Sequence, residues 1–303
     1  MNAITVNHLT KDYGHGRGIY NVSFSVPKGT TLGFLGPNGA GKSTTIRHLM
    51  GFSHPQSGNA SIMGMNCFTE SAEIKKQIGY LPGEVALPAG LKGNQFFRMM
   101  EGLRKSKDDA RVKYLLEKFD LNPNQNVKKM SIGEKRKIAV VTAFMSDPEI
   151  LLLDEPTSGL DPKMQEVFIE FIREEKQRGK TILLSSHIFA EVEALCDHIA
   201  IIKDGKIISV VKAEDVKYGL RKTFTLTFKT RKEYDAFLSE RFEVKDHDRD
   251  QLTLSVVVED ELFKTFLSAI VKYELTGFDE TTPTLESYFM HFYKSDKKFG
   301  GIK

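Results

Sequence analysis

Cysteine is scarce in this chain. Cys67 and Cys196 are the only two among 303 residues, they lie far apart, and they fit no metal-ligand spacing. That excludes a disulfide-stapled scaffold and a cysteine-rich metal site, and it points to a reduced, cytosolic compartment. Each reads as a small packed side chain rather than a reactive thiol. Long apolar runs are missing as well. The longest, such as residues 138–145, fall far short of the roughly 18 residues that a membrane span needs. The first residues, MNAITVNHLTKDYG, hold neither the basic region nor the apolar core of a secretion signal. If the protein works at a membrane, another chain must cross it. Nor is charge of one sign in excess. Lys and Arg number 43, Asp and Glu 40, and the net charge of +3 gives by itself no strong case for nucleic acid. What remains is an ordinary globular composition, 40% apolar and 27% charged, at a length that suits about two domains.

Against that background one stretch stands out: GPNGAGKST, residues 36–44. It fits G-x-x-x-x-G-K-[ST], a loop that cradles the phosphates of a nucleoside triphosphate. Gly36, Gly39 and Gly41 let the backbone curl so that the amides around Asn38 and Ala40 point inward. A helix beginning at about Ser43 and Thr44 adds the positive end of its dipole. Lys42 is a point charge within reach of the β- and γ-phosphates, and the Ser43 hydroxyl suits Mg²⁺. The setting agrees, because TLGFL reads as a buried strand before the loop and TIRHLM as a helix after it.

Further along, the chain alternates strands with helices, which indicates a mainly parallel sheet covered on both faces. The first 30 residues alternate apolar and polar and read as antiparallel strands. Residues 93–145 are helical in pattern, with Ser131 as an N-cap three residues before Glu134. EILLLDE is a buried strand ending in Asp154 and Glu155, expected beside the phosphate loop. There the first carboxylate can hold Mg²⁺ and the second can polarise an attacking water. KTILLSSH is another buried strand ending in His187, either a structural histidine or a donor to a γ-phosphate. Tyr13 lies in a turn ahead of the loop, as an ordinary turn residue or a surface on which a base stacks. After about residue 214 the order becomes β-α-β-β-α-β, that of a ferredoxin-like unit. A final helix, TLESYFMHFY, and a basic tail follow.

Together these segments resemble the ATP-binding subunit of an ABC transporter, over about residues 2–215. GPNGAGKST matches the Walker A motif, ILLLDE the Walker B motif, SGLDP (residues 158–162, with Asp161) the D-loop, and His187 the switch histidine. The resemblance implies an α/β ATPase domain at 1–214. It would have a mainly parallel core, an antiparallel subdomain and a helical subdomain at about 84–145, with a ferredoxin-like accessory domain at 215–303. It implies ATP and Mg²⁺ as ligands, Tyr13 stacked on adenine, Glu155 as general base and Lys42 and His187 on the phosphates. Two departures stand out. The family's LSGGQ is MSIGEKR here, with Ser131 and Gly133 kept, Ile132 in place of a glycine and Glu134 in place of glutamine. Ser131 and Gly133 still suit a γ-phosphate, whereas Glu134 needs Lys135 and Arg136 to offset its charge. Where the family has a glutamine after a strand like IGYLP, this chain has Gly83 and Glu84. Glu84 takes over a water-mediated Mg²⁺ contact, serves in coupling, or is a plain loop acid. The resemblance further implies a head-to-tail pair of ATPase subunits, most simply a homodimer, docked on a separate transmembrane permease at the cytoplasmic face. Exporters of drugs, peptides or bacteriocins are the most similar class. A soluble relative acting on nucleic acid or the ribosome, and a low-turnover regulatory module, are the competing readings.

Overall fold

A computed structural model of the chain describes residues 1–105, 107–217, 221–281, 284–286 and 289–290. They fall into two compact units, Met1–Val211 and Lys212–Lys303.

In the first unit, the alternating residues near the start become β1 (Asn2–Asp12) and β2 (Gly18–Pro27). They pair antiparallel, with Val6 opposite Phe24 and Leu9 opposite Val22. β3 (Thr31–Leu35) is buried at every position and feeds the glycine loop, which opens α1 (Lys42–Leu49). β4 (Ser57–Ile62) and β5 (Met65–Asn66) extend the first sheet in the order β2-β1-β4-β5. α2 (Ser71–Gln77) leads into β6 (Ile78–Leu81). α3 (Gly93–Arg104), α4 (Asp109–Lys118) and α5 (Ile132–Phe144) make up the helical segment. β7 (Ile150–Asp154), α6 (Pro162–Gln177), β8 (Thr181–Ser186), α7 (Phe189–Leu195), β9 (His198–Lys203) and β10 (Lys206–Lys212) follow.

The second sheet has the order β10-β9-β3-β8-β7-β6. β9, β3, β8, β7 and β6 are mutually parallel. β7 and β8 are buried at every position, as unbroken apolar strands in a sheet covered on both faces must be. The strand that ends in Asp154 does reach the phosphate loop, but not by pairing with β3. β8 lies between them and brings Ser185 opposite Asp154 and Ser186 opposite Leu35. Small hydroxyl side chains at that edge leave room for the Asp154 carboxylate to reach across.

Aromatic rings knit the helices together: Phe171 of α6 lies 4.8 Å from Phe144 of α5 and 5.3 Å from Phe119, ring centre to ring centre. Beside them Glu175 is only 1% exposed and meets Arg111 at 2.8 Å, Lys180 at 2.7 Å and Arg178 at 2.9 Å. Three cations around one buried carboxylate offset its desolvation and tie α4 to α6. Both cysteines are buried and free. Burial pushes the Cys67 thiol up to about 12 and Cys196 well above its ordinary value, so neither supplies a thiolate at neutral pH. Cys196 packs on Gly33, where any Cβ would stand 2.6 Å from its sulfur. Among the described residues no helix is long and apolar enough to cross a membrane.

The second unit holds α8 (Ala213–Lys217), β11 (Arg221–Phe228), α9 (Arg231–Leu238), β12 (Glu243–Asp248), β13 (Thr253–Glu259), α10 (Phe263–Ile270) and β14 (Leu275–Thr281). From β11 onward this is the expected β-α-β-β-α-β order. The sheet is antiparallel, in the order β12-β13-β11-β14. Alternation puts Phe224, Leu226 and Phe228 of β11 and Leu254, Val256 and Val258 of β13 on one face. That face is buried with Tyr234 and Phe237 of α9 and Phe266 of α10. The final helix and basic tail expected from the sequence lie outside the described residues, apart from 284–286 and 289–290.

Candidate active site

The loop at residues 36–44 forms because its glycines accept geometry that other residues resist. Gly39 and Gly41 sit at φ 82 and 108. Any Cβ on Gly36 would stand 2.4 Å from the Ile202 carbonyl oxygen. α1 begins at Lys42 behind Gly41, with no side chain capping it and no acid in its first turn. Its first amides therefore have no partner within the helix, and they present donors and a positive dipole end. A phosphate group fits such a helix terminus. By contrast α5 is capped by Ser131 and α6 by Asp161.

Lys42 is 5% exposed, and its ammonium donates to Gly36 O at 2.6 Å and Pro37 O at 3.2 Å. It also stands 3.0 Å from Glu155 Oε1, a buried oxygen with no other donor aligned on it. The other carboxylate oxygen of Glu155, Oε2, accepts from His187 Nδ1 at 2.7 Å. Because a carboxylate only accepts, Nδ1 carries the hydrogen and Nε2 is left for a second contact. Glu155 leaves β7 in left-handed geometry, φ 45, with its amide donating to Ser185 O and Ser185 Oγ. One residue earlier, Asp154 is buried and accepts at Oδ1 from Ser43 Oγ at 3.0 Å and from Ser185 Oγ at 2.5 Å. An exposed serine hydroxyl against a buried carboxylate is a hard-oxygen pair of the kind Mg²⁺ takes together with substrate phosphates. The donor set fits that ion.

So Lys42, Ser43, Asp154, Glu155 and His187 converge on the loop formed by Asn38, Gly39, Ala40, Gly41 and Thr44. The remaining residues singled out in the sequence lie elsewhere. Tyr13 is 53% exposed between β1 and β2, its hydroxyl 3.2 Å from Ser53 Oγ and its ring 5.7 Å from the Lys11 ammonium. Ser131, Gly133 and Glu134 open α5 beside the turn at Ser158 and Gly159, where a Cβ on Gly133 would be 3.3 Å from Gly159 O. Ile132, which replaces a glycine of the family pattern, is 78% exposed and leans over Gly159, whose missing side chain leaves it room. The Glu134 carboxylate accepts from Ser131 N at 2.8 Å, and the Ser131 hydroxyl accepts from Glu134 N at 3.2 Å. That capping box turns the Glu134 charge onto its own helix terminus. The Asp161 carboxylate accepts from Met164 N at 3.0 Å and so caps α6. Glu84 is exposed on the rim of a cavity of about 320 Å³ that Ile132, Lys135 and Ser158 also line.

Two groups escaped the sequence reading. Ser185 links β8 to Asp154 and Glu155, and its place in the hydroxyl pair before His187 was the available signal. Glu191 of α7 is buried, accepts from Ser186 Oγ and leaves Oε1 without a partner. Burial pushes its carboxyl up to about 7 from 4.5, Ser186 opposing the shift and Glu155 adding to it. Between those two values the folded chain keeps a proton that the unfolded chain has lost. Glu191 therefore lowers stability as pH rises from about 4.5 to about 7, and adds no further slope above. Glu191→Gln removes that slope. Its melting temperature at pH 8 is expected a few degrees above that of the unmodified chain, with the gap closing toward pH 4.5. Parallel melting curves across that range would contradict the assignment.

The sequence profile of the family described as ABC transporter matches residues 19–158. The linearmycin resistance ATP-binding protein LnrL of Bacillus subtilis (strain 168) is 36% identical over 218 residues, 70% of each chain. The bacitracin transport ATP-binding protein BcrA of Bacillus licheniformis is 33% identical over 253 residues, 82% of each chain. Among solved structures, a dimeric ATP-binding cassette in a post-hydrolysis state, bound to ADP and Pi, shares the fold. Its TM-score is 0.61 at 24% identity, over 69% of this chain and 98% of that one. On these likenesses the chain belongs to the ATP-binding subunits of ABC transporters.

Proposed function

We propose that this chain is the motor subunit of an ABC exporter of the drug, peptide or bacteriocin class, acting with a separate transmembrane permease. The observation that carries the reading is the grip on Glu155, with Lys42 on one carboxylate oxygen and His187 on the other. The substrate class rests on relatives whose names state linearmycin resistance and bacitracin transport.

In this reading Glu155 orients and deprotonates the attacking water, and Lys42 and the amides of α1 hold the phosphates. His187 offers Nε2 toward the γ-phosphate. Ser43 and Asp154 would hold Mg²⁺, with Glu84 as a further, water-mediated contact. When bound, that ion neutralises charge on the β- and γ-phosphate oxygens. Tyr13 offers its exposed ring to adenine.

One chain has one phosphate loop and one signature-like segment, so a two-fold homodimer gives two identical ATP sites. Ser131 and Gly133 then face the γ-phosphate of the partner subunit's nucleotide. The Glu134 carboxylate is held on the Ser131 amide and keeps its charge, which the adjacent Lys135 and Arg136 offset. The Asp161 carboxylate is likewise engaged in its cap, so its part at the interface is to shape the turn. ATP closes the pair and hydrolysis opens it. The chain sits peripherally at the cytoplasmic face of the membrane through the permease. The second unit, residues 215–303 in the sequence reading, has a ferredoxin-like strand order and serves the dimer or its regulation, or is a packing appendage.

Co-expression with a candidate membrane chain, sought in the neighbouring reading frames, tests the reading. The two chains are expected to co-purify, and cargo is expected to raise ATPase activity severalfold in reconstituted vesicles. Recovery with RNA or ribosomes, and no membrane partner, would sink the exporter reading.

A further inference from the structure

Arg136 has no part in the chemistry above, yet it heads the fully buried side chains by volume among the described residues, with 2% of its surface exposed. It lies five residues past Ser131, one and a half turns into α5. Nε donates to Pro156 O at 3.0 Å. Nη1 donates to Gly83 O at 3.2 Å and to Pro82 O. Nη2 donates to Asp154 O at 3.0 Å and to Glu155 O. A guanidinium has five N–H donors in a fixed planar fork, and here all five end on backbone carbonyls. Among the described residues no carboxylate stands within ion-pair distance of it: backbone carbonyls take its hydrogen bonds, and the carboxylates of Asp154, Glu191 and Glu155 act on its charge from farther off. Burial holds its pKa down to about 10, which still leaves it fully charged at neutral pH.

The acceptors belong to two segments. Pro82 and Gly83 follow β6. Asp154, Glu155 and Pro156 are the turn that leaves β7, and Glu155 in that turn holds the left-handed geometry that a side-chain-bearing residue resists. Lys42 and His187 fix the Glu155 carboxylate from one side. Arg136 holds the carbonyls of Asp154, Glu155 and Pro156 from the other, and so sets how the backbone presents that carboxylate.

We propose that Arg136 is a positioning residue for ATP hydrolysis: its guanidinium locks the turn carrying Glu155 and braces it against the segment after β6. The inference rests on the reading of Glu155 as general base. A displacement of about 1 Å at a reacting group is enough to cost about 10²-fold in rate. Lysine keeps the charge but has neither the fork nor enough donors for five carbonyls.

The test is a double-mutant cycle on the full-length chain. Arg136→Lys is expected to lower kcat by 10- to 100-fold with ATP affinity, from a fluorescent-nucleotide titration, changed less than about threefold. In single-turnover measurements Arg136→Lys/Glu155→Gln is expected to be no slower than Glu155→Gln alone, because Arg136 acts only through Glu155. Additive losses in the double variant would overturn the proposal, as would a raised KM with kcat unchanged. Arg136→Gln, which keeps a planar donor without the charge, is the second variant. Failure of both variants to fold and bind nucleotide would assign Arg136 to the fold as a whole and also overturn it. Normal hydrolysis by Glu155→Gln alone would instead remove the base assignment, an outcome separate from these.

Discussion

Glu155→Gln is expected to cut steady-state ATP hydrolysis by about 10³-fold while leaving ATP affinity unchanged or slightly higher. The substitution is nearly isosteric, so the turn after β7 and the hydrogen bond to His187 Nδ1 can persist. What is lost is the ability to accept a proton from water. The ion pair at 3.0 Å between Lys42 and Oε1 is lost too, and this releases the ammonium toward the phosphates instead of away from them. Slow hydrolysis with intact binding should leave the closed pair populated. A variant incubated with ATP is then expected to elute as a dimer and the unmodified chain mainly as a monomer. Phosphate release and gel filtration measure the two halves of the prediction. An unchanged rate would remove Glu155 from the chemistry, and a large fall in affinity would mean that the residue binds nucleotide rather than water.

The loop was legible because phosphate recognition by backbone amides requires contiguous residues, and contiguity is what a sequence displays. The same holds for Asp154 and Glu155, neighbours at a strand end, and for the β-α-β-β-α-β order after residue 214, where strict alternation in β11 and β13 marks one buried face. Strand order was not legible. EILLLDE and KTILLSSH have the same unbroken apolar character, and nothing local says which of them pairs with β3. The Ser131–Glu134 capping box was visible as a pattern. Its consequence, that the Glu134 carboxylate is held on a backbone amide of its own helix terminus, became plain only from the 2.8 Å bond. Arg136 was hidden by its surroundings. In GEKRK it looks like one more solvated charge, yet α5 is buried all round from Ile138 to Phe144, and Arg136 lies at the edge of that buried stretch. Glu175 was hidden in the same way within REEKQRGK, because Arg111, the cation that α4 contributes to it, is distant in sequence.

Lys42→Ala is expected to weaken ATP binding by 10²- to 10³-fold, for two reasons that act in the same direction. The first is the missing cation at the β- and γ-phosphates. The second is the carboxylate left behind: Glu155 Oε1 is buried, and Lys42 is the one cation beside it in the phosphate loop. Without that ammonium the carboxylate faces the γ-phosphate across a partly desolvated gap. Two unit charges 4 Å apart interact by about 4 kcal/mol at an effective dielectric of about 20, so repulsion alone is large enough to matter. A loss of 10²- to 10³-fold corresponds to about 2.7–4.1 kcal/mol, which either contribution could supply. The two are separable. Lys42→Ala/Glu155→Gln removes the stranded charge, and it is expected to recover at least about tenfold of the lost affinity in a fluorescent-nucleotide titration. No recovery would assign the whole loss to the missing phosphate contact. An affinity unchanged by Lys42→Ala itself would mean that residues 36–44 do not hold the triphosphate, and with that the chemistry assigned to Glu155 would have no substrate in reach.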